Sequence, residues 1–257
     1  MNGTARLLRA GAAVWWRDFV AWRKFWRSSI LLNFGEPLTN LLALGVGLGA
    51  YVAVMQGVSF LQFIAPGLLA VTAMNAVTFD AGFETYDKLN SSGVYAAMLT
   101  SPLTVPEIVL GEYLWEATRA ILYGAVFFLV ILAFGLVHSW WSLLLPLPLV
   151  LFGVLFTAPA LYVAAVARTH EQLFYYFSLV ITPMFMFSGV FFPVGHLPWI
   201  VRDIIYILPL YHGVALTRAM VLGQMGAATF WQFLWLLGYA ALLAYLPVRA
   251  LSRRLTT

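Results

Sequence analysis

Long apolar stretches, separated by short polar connections, make up most of the chain. Six of them come close to the ~20 residues that a helix needs to cross about 30 Å of hydrocarbon, and they cover residues 31–54, 61–79, 118–137, 143–166, 173–192 and 229–248. Apolar positions run continuously within them, whereas a membrane β-barrel alternates polar and apolar positions. The pattern predicts an all-α integral membrane protein with six transmembrane helices. It would form a single domain over residues 1–257, with the six-span bundle at 29–248.

Composition changes this picture little and excludes one class of protein. Hydrophobic residues make up 63% of the chain and charged residues 9%, and the mean hydropathy is +0.90. Soluble domains are about 45–50% apolar and about 25% charged. A water-soluble bundle would need charged outer faces, which these stretches lack, so an ordinary soluble fold is excluded.

The basic residues gather on alternate connections. Twelve of the fourteen lie before the first stretch, in or beside the second and fourth connections, or after the sixth stretch. Only Arg202 and Arg218 lie in the fifth connection. Because cytoplasmic loops of membrane proteins are enriched in Lys and Arg, both termini are expected in the cytoplasm, with residues 249–257 as a cytoplasmic tail. The excess of basic over acidic residues therefore indicates membrane topology and gives no reason to expect a nucleic-acid partner.

A basic aromatic segment at residues 14–28 precedes the first span. At about 100° per residue, one narrow stripe of a helix would carry Trp15, Phe19, Trp22 and Trp26. Arginines and a lysine occupy the adjoining face, and this arrangement is typical of a helix that lies in the headgroup region of a membrane. We expect an interfacial helix in contact with membrane lipids. The alternative is a basic flank that only orients the first span.

The second connection carries a short amphipathic segment between two helix breaks. Asn90-Ser91-Ser92-Gly93 ends the preceding helix, and Thr100-Ser101-Pro102 ends the segment itself. Thr104 and Glu107 then have the spacing of a capping box, which predicts the start of the next helix. A short helix between two long ones is typical of a docking element, and the alternative is a surface loop. The residues that would contact a partner are Val94, Tyr95, Ala97, Met98 and Leu99.

The fifth connection contains apolar segments that are too short to span. Pro193, Gly195 and Pro198 interrupt the chain, and residues 199–208 and 210–222 follow. Segments of this length favour re-entrant or interfacial helices, whose irregular backbone must be buried in protein or line a wet cavity. We expect them to form a helical cap over the external mouth of the bundle.

No catalytic or cofactor chemistry is apparent in the sequence. Lys24 and Lys88 are the only lysines, and neither belongs to the G-x-x-x-x-G-K-[ST] loop that binds nucleotide phosphates. Four scattered histidines and the absence of cysteine give no reason to expect a metal site. No carboxylate pair is expected at mid-membrane depth, which disfavours an intramembrane hydrolase and a proton-coupled carrier. The expected transport path is therefore aromatic, apolar and uncharged, and any ATP-driven motor must be another polypeptide.

Three blocks of the chain resemble the permeases of type-2 ABC exporters (ABC-2 type transporters). Leu89–Gly111, with Ala96-Ala97-Met98-Leu99-Thr100-Ser101-Pro102 at its centre, is similar to the cytoplasmic signature of that family. Phe187–Arg218 resembles its external region between the last two spans. The third block, Asn33–Pro37 followed by Ala43–Gly49, is most similar to the nodulation-factor, or lipo-oligosaccharide, export branch.

The resemblance implies a homodimeric permease in the bacterial inner membrane, working with two copies of a separate ATPase subunit. ATP and Mg²⁺ would bind to that subunit, and this chain would hold no cofactor of its own. Residues 94–99 would be the coupling helix, and spans one, two and five would line a central path. By position, the candidates for an apolar upper gate are Phe185, Phe187, Phe191 and Phe192.

The expected function is therefore export of an amphipathic lipid-linked, lipo-oligosaccharide or glycolipid-like cargo. Efflux of a hydrophobic drug by a permease of the same family is the first alternative. An ion-coupled carrier or channel, and a scaffold that transports nothing, are further alternatives from other classes.

Overall fold

The structure, a computed structural model, describes residues 3–52 and 54–256. Almost all of these residues are helical, and one two-stranded antiparallel hairpin pairs Val54 with Ser59 and Met55 with Val58. In chain order the elements are α1 Gly3–Trp22, α2 Trp26–Asn40, β1 Val54–Met55, β2 Val58–Ser59, α3 Phe60–Asn90, α4 Val94–Leu99, α5 Val105–Ala133, α6 Pro146–Val166, α7 His170–Tyr176, α8 Thr182–Phe187, α9 Trp199–Ile207, α10 Pro209–Leu222, α11 Ala227–Leu243 and α12 Leu246–Thr256.

Short π and 3-10 segments extend several of these helices. A π-helix at Leu41–Gly47 and a 3-10 turn at Leu48–Ala50 continue α2, and a π-helix at Phe177–Ile181 joins α7 to α8. Two further 3-10 turns lie at Trp140–Leu144 and Val194–His196. π-helical turns are rare and are found most often at functional sites.

Within the described residues, five helical stretches are long and apolar enough to cross a membrane: Trp26–Ala50, Phe60–Asn90, Val105–Ala133, Pro146–Val166 and Ala227–Leu255. The bent pair α9 and α10 would make a sixth if it counts as one span. The predicted fifth span, 173–192, falls on His170–Phe187, which is helical throughout but begins with the polar residues His170, Glu171 and Gln172. The all-α, membrane-spanning class is confirmed.

Helix α3 lies at the centre of the bundle, where it packs against α5, α6 and α10. Nearly all of its apolar side chains are buried, because neighbours cover every face of the helix. Small residues let the surrounding helices approach closely. A Cβ atom on Gly153 of α6 would lie 2.3 Å from the Cα of Ala117 on α5, so only glycine fits at this crossing.

The N-terminal segment differs from the predicted interfacial helix. Residues 14–28 are not one helix, because α1 ends at Trp22 and Trp26 begins α2. The aromatic face of α1 packs against α5, where the indole nitrogen of Trp15 donates to Thr118 Oγ1 (3.0 Å) and that of Trp22 to the hydroxyl of Tyr123 (3.3 Å). The sequence pattern correctly placed these aromatic residues on one face of a helix. That face packs against α5, because Thr118 and Tyr123 accept hydrogen bonds from the two indoles.

The ring contacts of α1 agree with this placement. Phe19 and Trp22 both pack edge-on against Trp115 of α5, with ring centroids 6.3 and 5.9 Å apart. Trp26 is exposed on the next helix. The predicted stripe of four aromatic residues is thus divided between two helices and two environments.

The predicted cytoplasmic tail, 249–257, is helical as far as the structure describes it. In α12 the side chain of Leu251 is fully buried beside α4, α5 and α6. Arg254 donates to the backbone oxygens of Ala165 and Ala167 at 2.6 and 2.7 Å and to Asn90 Oδ1 at 2.6 Å. The guanidinium therefore caps the C-terminal end of α6, where an arginine near free helix carbonyls is favourable, and also holds the side chain of the last residue of α3.

The two ends of the bundle differ in their elements. We call the end that carries α1, α4 and α12 the basic end, and the opposite end, with the hairpin, α9 and the start of α3, the far end. Helices α9 and α10 meet at 83°, and α10 packs against α3 and α11 with its C-terminal turns at the far end, where Arg218 bonds to the backbone of Phe63. Thr217 of α10 donates to the backbone oxygen of Pro66 (3.0 Å). The pair thus has the shape predicted for re-entrant helices, and α10 is buried more deeply than a surface cap.

Candidate transport groove and coupling segment

A groove of about 660 Å³ lies between α2, α3 and the α7–α8 rod. Its lining combines hydroxyl, amide and carboxyl groups with aromatic rings, and consists of Phe25, Ser28, Ser29, Asn33, Glu36, Pro37, Asn75, Phe79, Asp80, Phe177, Ile181, Thr182 and Phe185. These elements correspond to spans one, two and five. The expectation of a purely apolar, uncharged path is therefore wrong for this groove, because Glu36 and Asp80 both line it.

One wall of the groove is aromatic. The ring of Phe79 lies 4.5 Å from that of Phe83 and 5.1 Å from that of Phe177, measured between centroids. Phe174 packs on Phe83 at 5.1 Å. Since Phe177 begins the π-helical segment, the irregular backbone lies beside the groove, where it places aromatic side chains opposite the polar residues of α2.

A second cavity of about 440 Å³ lies on the basic-end side of the groove and is lined by charged groups. It shares Phe25, Ser29 and Asp80 with the groove, so the two spaces adjoin. Val94, the first residue of α4, also lines it. A continuous polar wall therefore runs from α4 to the groove.

Lys88 is the centre of this charged region, which we call the charged cluster: Asp18, Asp80, Glu84, Lys88, Glu112, Glu116 and Arg119. Its ammonium group lies 2.9 Å from both oxygens of Glu112, 3.2 Å from Asp18 and 3.7 Å from Glu84. The lysine side chain is only 11% exposed. A charge that is out of water persists only where it is paired and hydrogen-bonded. Lys88 thus ties together α1, α3 and α5.

Arg119 forms the second centre of the charged cluster. Its guanidinium pairs with Asp80, with Glu84 at 3.3 Å and with Glu116 at 3.6 Å. It also lies over the rings of Trp115 and Tyr123, 5.9 and 5.6 Å from their centroids. Within the described residues, neither carboxylate oxygen of Glu116 accepts a hydrogen bond.

The charged cluster was not found from the sequence. Asp80 and Glu84 continue the second apolar stretch as a polar extension, which is ordinary at a membrane boundary, and the other members of the cluster gave no signal by themselves. Asp80, Glu84 and Lys88 recur every four residues on α3, and Glu112 and Glu116 do the same on α5. That spacing places each set on one helix face. Two helical stripes, each combining two carboxylates with one cation (Lys88 on α3 and Arg119 on α5), were the available signal.

The predicted coupling helix is present with the predicted bounds. Helix α4 spans Val94–Leu99 and begins after Gly93, whose φ of 62° is one that glycine adopts without strain. Helix α5 begins with the predicted capping box, in which the Thr104 amide donates to Glu107 at 2.7 Å. Ala96 and Ala97 are exposed on α4, and Val94, Met98 and Leu99 are half-buried.

Tyr95 requires a correction, because its side chain is completely buried. The hydroxyl donates to Glu112 at 2.8 Å and lies 3.2 Å from Thr85 Oγ1. Burial and the nearby Glu112 carboxylate raise the pKa of Tyr95 well above its usual range, so the phenol stays neutral. Tyr95 therefore holds α4 onto the charged cluster from inside and cannot contact a partner directly in this arrangement. A role in partner binding for the rest of α4 stays a prediction.

The four predicted gate residues do not form one group. Phe185 and Phe191 pack edge to face with ring centroids 5.2 Å apart, and Phe185 also lines the groove. Phe187 is 46% exposed, and Phe192 lines a different cavity at the far end. The structure thus brings two of the four together at the end of the groove, and the gating role itself stays a prediction.

Residues 10–222 match the family described as ABC-2 type transporter. The chain belongs to the ABC-2 type transporter family. It is 37% identical over 244 residues to Nodulation protein J of Sinorhizobium fredii, covering 95% of this chain and 93% of the relative. It is 39% identical over 213 residues to Nodulation protein J of Rhizobium meliloti, covering 82% and 81%.

A more distant relative of this ABC-2 permease is the inner membrane transport permease YadH of Escherichia coli, 22% identical over 213 residues, or 82% of each chain. The resemblance found from the three sequence blocks is thereby confirmed, including the branch that carries the nodulation proteins.

Proposed function

We propose that this ABC-2 permease is the membrane subunit of an ATP-driven exporter of the bacterial inner membrane, and that its cargo is amphipathic. Two copies of a separate ATPase would supply the energy, and a lipo-oligosaccharide or another lipid-linked glycan would be moved from the cytoplasmic leaflet. The basic end would face the cytoplasm, where loops rich in Arg and Lys are retained.

The observation that carries this proposal is the position of α4. The helix presents Ala96 and Ala97 outwards, with small side chains that allow close approach of another protein. On its inner side Tyr95 is bonded to Glu112, which is in turn bonded to Lys88. A displacement of α4 by a partner would therefore act on α1, α3 and α5 through short polar contacts.

The groove supports an amphipathic cargo over a wholly apolar drug. Its polar side offers Asn33, Glu36 and Asn75, which can hydrogen-bond to sugar hydroxyl groups. Its other side offers the phenylalanines around Phe177, which suit an acyl chain or the apolar face of a sugar ring. The polar residues would be unpaired against a cargo without hydrogen-bonding groups, which disfavours that cargo.

A second copy of the chain would close the groove. Only 19% of the apolar part of Trp26–Ala50 is buried in the single chain, although α2 forms one wall of the groove. In a dimer built around the groove, both copies would contribute spans one, two and five to a central path, which agrees with the expected homodimer.

The proposal is tested by reconstituting the permease and its ATPase in lipid vesicles and measuring ATP-dependent export of a lipo-oligosaccharide. Ala97→Asp places a charge on the exposed face of α4, and we expect it to lower export at least about tenfold, since a desolvated, unpaired charge costs more than 1.4 kcal/mol. Ala228→Asp is the matched control, because Ala228 is exposed in the first turn of α11 at the far end, where an acidic residue is tolerated. Normal export by Ala97→Asp would contradict the docking role of α4.

A further inference from the structure

The far end contains a polar cavity of about 340 Å³ that the proposed export function does not use. Hydrogen-bond donors from three parts of the chain line it: Gln56 of the hairpin turn, Tyr206 of α9, and Tyr211, Arg218 and Gln224 on or after α10. None of its lining residues is Asp or Glu. The cavity is thus a space with one cation, several donors and no negative charge.

Arg218 is held in place by groups that leave its charge uncompensated. Its Nε donates to the backbone oxygen of Phe63 (3.1 Å) and one Nη donates to that of Gly189 (2.8 Å). The guanidinium lies 3.8 Å from the ring centroid of Phe63. Throughout the described part of the chain, Arg218 takes part in no ion pair with a carboxylate. By contrast, Arg202 at the same end pairs with Asp203.

The geometry of Arg218 leaves donors for a ligand. Two of its three nitrogens donate to backbone oxygens. Among the hydrogen bonds and ion pairs of the described residues, the remaining Nη is assigned to no carboxylate. Since Arg218 lines the cavity, this nitrogen can donate into it. The fork of a guanidinium suits phosphate and carboxylate oxygens, and Arg is weakly hydrated enough to bind them in a partly buried site.

The other lining groups surround the same space. The rings of Tyr206 and Tyr211 lie 5.0 Å apart between centroids, and the two side chains are hydrogen-bonded to each other, so one hydroxyl proton of the pair remains for a ligand. The amides of Gln56 and Gln224 approach from the hairpin and from the end of α10. Donors that converge from several directions suit an anion with three or four oxygens better than a planar carboxylate, which offers only two.

We propose that this far-end cavity binds a phosphate group, either as free phosphate or as the headgroup of a phospholipid. Arg218 supplies the positive charge, and the free tyrosine hydroxyl and the glutamine amides bond to the remaining oxygens. The bound phosphate links the hairpin, α9 and α10, because each contributes donors to it. This site is independent of the cargo and of the ATPase partner.

The experiment measures thermal unfolding of the full-length protein purified in a phosphate-free maltoside detergent. One arm adds inorganic phosphate at constant ionic strength, with chloride as the reference anion. The other arm adds a short-chain phosphatidylglycerol, with an uncharged, phosphate-free lipid as the reference. A ligand that binds only the folded state raises the unfolding temperature as its concentration exceeds the dissociation constant. A response in the first arm identifies free phosphate, and a response only in the second identifies a lipid headgroup.

Three variants assign the response to the cavity. Arg218→Gln is expected to abolish it, and Tyr206→Phe, which keeps the ring and removes one hydroxyl, is expected to weaken the affinity about tenfold. Arg202→Gln is the control, because it removes the same charge at the same end but lies outside the cavity, and it should respond like the wild type.

The proposal is overturned if neither source shifts the wild-type unfolding temperature, or if Arg218→Gln responds as the wild type does. Should Arg218→Gln fail to fold, Tyr206→Phe decides the matter, and an affinity equal to that of the wild type would contradict the site. Because no ATPase or cargo is present, this result does not depend on whether the proposed export function is correct.

Discussion

The basic end and the far end of the bundle differ in the groups that surround their buried cations. At the basic end, two buried cations, Lys88 and Arg119, are surrounded by five carboxylates from three helices. At the far end, Arg218 is satisfied by backbone oxygens and an aromatic ring. The two cations of the basic end join α1, α3 and α5 through ion pairs, whereas Arg218 joins α10 to backbone oxygens of α3 and of the segment after α8. From this comparison we expect a displacement of α4 to reach α1, α3 and α5 through ion pairs, and an anion to bind beside the cation at the far end.

The largest effect is expected from Lys88→Met. Removing the ammonium group leaves the buried carboxylate of Glu112 without its cation, whereas Asp18 still pairs with Arg17. Breaking one half of a buried ion pair typically costs about 3–5 kcal/mol of unfolding free energy. Chemical unfolding in detergent measures the change. The double variant Lys88→Met with Glu112→Gln removes charge of both signs and is expected to recover part of the loss. Equal stability of the single and double variants would contradict the role of this pair.

A smaller effect is expected from Tyr95→Phe. The ring remains buried, and only the hydrogen bond to the charged Glu112 is lost, which corresponds to about 1.5–3 kcal/mol. Because that bond attaches α4 to the charged cluster, we expect permease-dependent stimulation of the ATPase to fall while α4 stays folded. Thr85→Val is the control, since it removes the weaker contact of the same hydroxyl at 3.2 Å. Unchanged stimulation in Tyr95→Phe would mean that α4 acts through another route.

The smallest effect is expected at the far end from Arg202→Gln. Its partner Asp203 is 3.7 Å away, and the two side chains are 39% and 61% exposed. Exposed pairs of this kind contribute about 0–1 kcal/mol. The unfolding free energy should therefore stay close to that of the wild type. A loss as large as that of Lys88→Met would remove the contrast between the two ends.

Apolar length and helix-breaking residues made several elements predictable. The capping box at Thr104, the break at Gly93 and the prolines at 193 and 198 are local signals, and they located α4, the start of α5 and the short helices α9 and α10. These elements depend on the backbone preferences of a few neighbouring residues, so the local sequence is enough to predict them.

Contacts between helices distant in sequence were not predictable in the same way. The stripe of Trp15, Phe19 and Trp22 is equally suited to lipid and to another helix, and only Thr118 and Tyr123 on α5 decide between them. Likewise, Lys88 and Glu112 are separated by 24 positions and meet only because α3 packs on α5. The inward orientation of Tyr95 follows from the same packing. The predicted bounds of α4 are therefore confirmed, whereas the prediction that Tyr95 lies on a partner surface does not agree with its burial.

Cysteine crosslinking can detect whether a separate ATPase docks on the exposed face of α4. The natural chain contains no cysteine, so Ala97→Cys introduces a single reactive site, and Ala228→Cys gives a matched one at the far end.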